Sequence, residues 1–182
     1  MAEEIPTRRA AIRIIERGHA EIRELIDRLP PRGLTRQEIG RGRWSAKDVI
    51  GHMATWERFA LEALNDWDRD RPWARESGLW NQVSRTNITE LERQRRLSSP
   101  EVRRRADATH EELLGRLTAM SDARWRTPAT SRGRKPLGSR LGGILSGPAG
   151  PFRHAEEHLR DLRAFVEQVT TPPVGGGLAT SD

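Results

Sequence analysis

The sequence predicts an all-α protein, an antiparallel four-helix bundle with a long connection between its second and third main helices. Three observations carry this. Apolar residues recur at steps of three and four along four separate segments, alternating strand-like runs are nearly missing, and clusters of Pro, Gly and Ser separate the segments. A chain of 182 residues can bury a core as one domain, expected over 1–170, followed by a disordered tail over 171–182.

The first helix is expected over about 7–29, where Ile12, Ile15, His19, Ile22, Ile26 and Leu29 form one stripe. Leu29-Pro30-Pro31 ends it, because proline cannot continue the backbone ladder. The second, over about 45–67, carries Val49, His52, Met53, Trp56, Phe59, Ala60, Ala63, Leu64 and Trp67. Its start is well specified: Ser45 can cap, Asp48 sits at the N3 position of a capping box, and Trp44 and Val49 are placed as a hydrophobic staple.

The connection over 68–98 is charged, with room for a polar helix between Leu79 and Leu97. The third main helix is expected over about 99–119, with Val102, Ala106, His110, Leu113, Leu117 and Met120 in register. Ser99 before Pro100 reads as its N-cap. Residues 127–151 are rich in Gly, Pro and Ser and read mostly as loop, with "LGGILSGPAG" a flexible lead into the last helix. That helix, over about 151–170, places His154, His158, Leu162, Phe165, Val166 and Val169 on one side.

Composition excludes several function classes. Cysteine is absent, which removes disulfides, thiolate metal ligands and a cysteine nucleophile. No run of about 18 apolar residues offers a membrane span, and the opening MAEEIPTRR has no secretory h-region, so a soluble cytoplasmic protein is expected. The net charge is +6 and the pI about 11.1, but 26 acidic residues interleave with the arginines and no nucleic-acid reading motif appears. Nucleic acid is therefore not the expected partner. No G-x-S-x-G elbow and no phosphate-binding glycine loop are present.

The chemistry concentrates on histidine. His154 and His158 are four residues apart, so they share a helical face, and His52 occupies the inward stripe of another helix. Three neutral imidazoles plus a water make a common open zinc-type site. The alternative buries three polar rings, each of which then needs its own hydrogen-bond partner. "HAEEH" also matches the H-x-x-E-H pattern of inverted zinc proteases, but Glu157 points about 100° away from His158 around the helix and reads as solvated. His19 and His110 lie near apolar stripes and read as packed residues, supporting partners or a general base. Trp56, one turn beyond His52, is placed to line a small-molecule pocket.

Three stretches carry a family resemblance. "WSAKDVIGHMATWE" (44–57) is similar to a W-S-x-K-D-x-x-x-H-x-x-x-W-E helix opening, and "HAEEHLRDLRAFVE" (154–167) to a closing H-x-x-E-H-x-x-D-[IL]-R-A pattern. "LWNQVSRTNITELERQRRLSSPEV" (79–102) resembles a W-N-x(n)-N-x-x-x-x-x-R stretch. Together, over about 9–169, the chain resembles the DinB-like superfamily and within it the ClbS/DfsB-type branch.

The resemblance implies an up-down-down-up bundle, often dimeric, holding a divalent metal (zinc, nickel or iron) on His52, His154 and His158. It also implies an enzyme on a small electrophilic metabolite in self-resistance or detoxification. Such an enzyme would open a strained ring by hydrolysis or transfer an external low-molecular-weight thiol. Candidate acid–base residues are Glu57 and His19, with Asp48 a further choice, and candidate pocket residues are Trp56, Trp80 and Asn81. A non-catalytic protein that sequesters a metabolite is the alternative. Two departures from the branch stand out: Ala155 replaces a frequent aromatic, and the loop over 127–150 is longer and more basic.

Overall fold

The computed structural model describes residues 5–79 and 81–171; Trp80 and, of the tail expected over 171–182, residues 172–182 lie outside the described residues. Among the described residues the named elements are all helices, with isolated bridges such as Ile39 with Trp44 in the connections. Four long helices build the bundle: α1 (Arg8–Asp27), α2 (Ala46–Trp67), α5 (Ser99–Ala119) and α8 (His154–Thr170). Shorter helices α3 (Glu76–Leu79) and α4 (Val83–Arg95) occupy the long connection, and α6 (Asp122–Arg126) and α7 (Leu137–Ile144) precede the last helix.

Cross-helix contacts fix the directions. Arg8 near the start of α1 donates to the carbonyl of Leu117 late in α5 (3.0 Å), and Asp27 at the end of α1 pairs with Arg103 early in α5. These two helices are antiparallel. Lys47 at the start of α2 reaches the Leu97 carbonyl just before α5, and Asn65 near its end meets Arg116, so α2 and α5 run parallel. Gly18 of α1 abuts Ala155, and Glu21 pairs with Arg163 farther along α8, so α1 and α8 run parallel. The order is up-down-down-up. α2 packs chiefly on α5 and α1 on α8.

Local signals explain the helix starts. The Ser45 side chain accepts from the Asp48 N–H and the Asp48 carboxylate accepts from the Ser45 N–H, completing the capping box at the head of α2. At α5 the cap is Ser98, whose hydroxyl accepts from the Glu101 N–H, rather than the expected Ser99. Pro100 then falls in the first turn, where its missing N–H has no intrahelical role. α8 begins at His154 rather than 151, because Phe152 is held at φ 64°, outside helical backbone.

The loop expected over 127–151 is corrected most. Its centre is α7, whose Leu137, Leu141 and Ile144 are buried, with Leu145 just beyond, against Trp125 and Phe152. The glycines that suggested flexibility permit close approach instead. A Cβ at Gly138 would lie 2.3 Å from the Trp125 ring, and one at Gly142 would lie 2.9 Å from Phe152.

The buried apolar residues form two clusters. One gathers Ile15, Trp56, Phe59, Leu64, Leu113, Leu141 and Phe152; the other gathers Ile22, Ile26, Val49, Val102, Leu159, Leu162 and Phe165. On α2, His52 falls between Val49 of one and Trp56 of the other. Toward α8, His154 and His158 fall between Phe152 of one cluster and Leu162 of the other. The nearest buried apolar neighbours along the chain, Ile50, Ala54, Ala155 and Leu159, belong to the second cluster.

Candidate metal centre

α2 delivers one imidazole and α8 two. His52 and His154 are buried, and one ring nitrogen from each of His52, His154 and His158 lies within 4.8 Å of the others. The closest pair is His52 Nε2 and His154 Nε2, 3.0 Å apart. Two nitrogens on a tetrahedral ion with bonds of about 2.0–2.1 Å stand roughly 3.3 Å apart, so this spacing is near that of ligands. His158 Nε2 and His154 Nδ1 are buried without a hydrogen-bond partner. An ion held with His52 Nε2 and His154 Nε2 would meet the unpartnered Nε2 of His158, whereas Nδ1 of His154, on the other side of its ring, needs a partner of its own.

The charge state fits the same reading. Burial, reinforced by His154 and then His158, holds His52 well below the usual imidazole range. Burial and then His158 lower His154 to about 3. Burial lowers His158 to about 4, with the Asp161 carboxylate opposing. All three rings are therefore neutral at pH 7, with lone pairs free to donate to a cation. Trp44 fixes two of them, stacking on His158 at 5.4 Å and meeting His52 edge-on at 4.8 Å.

The rings open onto a cavity of about 440 Å³. Its floor includes Val49, Trp56 and the three histidines. One wall is the segment Ile39–Gly42, another is Val83 and Asn87 of α4, and a third is Gly143, Ile144 and Ser146. Glu157 and Asp161 line it from α8. Gly40 has φ 60°, and a Cβ there would lie 2.6 Å from Asp161 Oδ2, so this wall closes against α8 only with glycine.

Of the candidates read from the sequence, His52, His154, His158 and Trp56 come together at this cavity. Glu57, His19 and Asn81 are not among its lining residues, and Asn81 is exposed. Glu57 and His19 meet elsewhere. His110 Nδ1–H donates to the buried Glu57 carboxylate (2.9 Å), and the His110 ring stacks on His19 at 3.6 Å. Asp48 caps α2 and pairs with Arg95. Reading the sequence missed the Ile39–Gly42 wall, and it gave no cavity role to Asn87 and Asp161, although both stand at fixed positions of the quoted motifs. Asp161 carried a usable signal, standing one turn beyond His158 on the same face. The Ala155 departure also finds its reason. A Cβ at Gly18 would lie 2.6 Å from Ala155 Cβ, so α1 crosses too closely for an aromatic there.

A family model described as the DinB superfamily matches residues 14–146, and the chain belongs to that superfamily. The match includes His52 and stops before His154 and His158. Two solved structures share the fold. An uncharacterised protein from Escherichia coli UTI89 superposes with a TM-score of 0.73 at 13% identity, covering 90% of this chain and 95% of that one. The colibactin self-resistance protein ClbS, solved in complex with a double-stranded DNA, superposes with a TM-score of 0.68 at 12% identity, covering 92% and 98%. A search of curated proteins returned no match by sequence.

Proposed function

We propose that this protein is a metal-dependent enzyme acting on a small electrophilic metabolite, in self-resistance or detoxification. The observation that carries the reading is the set of three neutral imidazoles, two buried and one partly buried, converging at a cavity of about 440 Å³. His52, His154 and His158 would hold a divalent ion; zinc, nickel and iron all accept imidazole, and geometry and availability select among them. When bound, such an ion polarises a substrate or lowers the pKa of water or of an external low-molecular-weight thiol. With no cysteine in the chain, that thiol must come from outside.

The chain's own residues supply the rest. Trp44 orients His52 and His158, Trp56 and Val49 keep the floor apolar, and Glu157 and Asp161 are the carboxylates on the cavity wall. The ClbS neighbour, a colibactin self-resistance protein, supports the choice of a reactive metabolite as substrate. Its DNA complex has less support here. In the α1–α8 groove Arg17 and Arg163 pair with Glu21, Arg153 with Glu156 and Arg160 with Asp161, so much of the arginine charge is engaged internally. We infer a small-molecule partner, and a gel-shift assay at physiological salt is expected to show no retarded duplex. Among the described residues no helix is long and apolar enough to cross a membrane. The reading keeps a cytoplasmic setting and a homodimer as expectations, the latter open to light scattering.

The test incubates metal-loaded protein with epoxide and activated cyclopropane substrates, with and without an external thiol, and follows products by mass spectrometry. Chelator-sensitive addition of water denotes hydrolysis, and chelator-sensitive addition of the thiol denotes transfer. Tight, stoichiometric substrate binding with no product, unaffected by chelator, would establish the alternative, a sequestering protein.

A further inference from the structure

The α4 wall of the cavity is held in an unusual way. None of its residues with a described side chain is fully buried, and its Ile88 is 59% exposed. Polar contacts hold its C-terminal end instead. Lys47 Nζ donates to the carbonyls of Arg95 (3.1 Å) and Leu97 (2.9 Å), and Arg95 pairs with the buried Asp48. Gln94 Nε2 donates to the Gly51 carbonyl (2.9 Å) and to Thr55 Oγ1 (3.1 Å), and a Cβ at Gly51 would lie 2.8 Å from Gln94 Oε1. The latch holds the C-terminal end of α4, while at its N-terminal end Val83 packs against the core.

That half carries Val83 and Asn87 into the cavity lining. Asn87 Oδ1 is buried and accepts no hydrogen bond. The contrast with Gln94, two turns on, separates two roles for a carboxamide on one helix: Gln94 docks it, and Asn87, on the cavity lining, keeps a buried acceptor with no partner. Ser146, also on the lining, spends its hydroxyl on the Gly143 carbonyl and offers Asn87 nothing.

We propose that Asn87 is the substrate-anchoring residue of this cavity. Its Oδ1 accepts a hydrogen bond from an N–H or O–H donor of the ligand, such as a secondary amide, while the ligand's reactive end faces His52, His154 and His158. A ligand lacking the donor leaves a buried carbonyl unpaired, which is the strongest basis for discrimination by a polar group. The inference rests on the three-histidine reading above and adds the chemistry that the site selects.

The probe is a set of ω-mercapto-acetamides with two to four methylenes between sulfur and amide nitrogen, each paired with its N-methyl analogue, which lacks the N–H. Cobalt(II)-loaded protein reports thiolate binding by charge-transfer absorption, giving dissociation constants without turnover. For at least one spacer the N–H compound is expected to bind wild type about fivefold or more tightly than its N-methyl partner. N87L is expected to lose that preference, and N87D, which keeps an acceptor in the same place, to retain it; circular dichroism of both variants checks the fold. An equal affinity within every pair, a preference that survives in N87L, or thiols that fail to bind cobalt-loaded protein would each overturn the proposal. Failure to take up cobalt at all removes the three-histidine reading instead, which keeps the two failures apart.

Discussion

The protein holds two histidine clusters, and they are built on opposite terms. At the junction of α1, α2 and α5, His110 donates to Glu57, stacks on His19, and His19 in turn stands 4.0 Å from the Asp107 carboxylate. Each end of that pair of rings has an acid. At the α2–α8 junction, His52 and His154 meet through their Nε2 atoms, His154 Nδ1 and His158 Nε2 are buried and unpartnered, and the nearby acid is Asp161 beside His158. The first cluster has a carboxylate at each end, whereas the second leaves two ring nitrogens without a partner. A buried histidine is therefore read by what satisfies its second nitrogen rather than by burial alone.

The comparison can be broken in either direction. The largest effect is expected on metal affinity: H52A should weaken zinc binding by more than about a hundredfold, measured by competition with a chromophoric chelator, while H110A leaves it within about threefold. Next comes stability. E57L strands the buried His110 donor and should cost about 3 kcal/mol, read as a lower denaturant midpoint at unchanged slope and with zinc stoichiometry intact. A155F should cost about 2 kcal/mol, because the ring must displace Gly18 and the α1–α8 crossing.

The remaining expected effect concerns pH. His19 is lowered from 6.5 to about 4, chiefly by burial and then by His110, with Asp107 opposing and Arg23 adding slightly. The unfolded chain therefore binds more protons than the folded one between those values. Stability from a neutral His19 is full above pH 6.5 and is lost progressively as pH falls toward 4. H19Q should flatten that part of the stability curve relative to wild type; a parallel loss in both proteins would contradict it.

Legibility in the sequence followed the physics of each element. α1, α2, α5 and α8 were readable because each long helix buries one stripe and repeats its pattern over several turns, and α2 also announces its start through Ser45 and Asp48. The metal candidates were readable for the same reason, as polar rings on apolar stripes. α7 was not. Its glycines serve packing against Trp125 and Phe152, a fact that exists only once those rings are in place. Glu57 and His19 were attractive as acid–base residues by type, but Glu57 is five residues from His52, about 140° around the helix, and turns toward α5. Asn87 stood at a fixed position of the motif over 79–102, but its unmet acceptor could not be read there, because that is a property of the assembled wall.

The central claim, that the α2–α8 cluster is a metal site, is tested most directly by titrating zinc into metal-stripped protein and measuring bound metal per chain by elemental analysis. The account predicts one equivalent for wild type and H110A and less than about a tenth of an equivalent for H154A under the same free zinc. No bound zinc in wild type, or one equivalent retained by H154A, would contradict it.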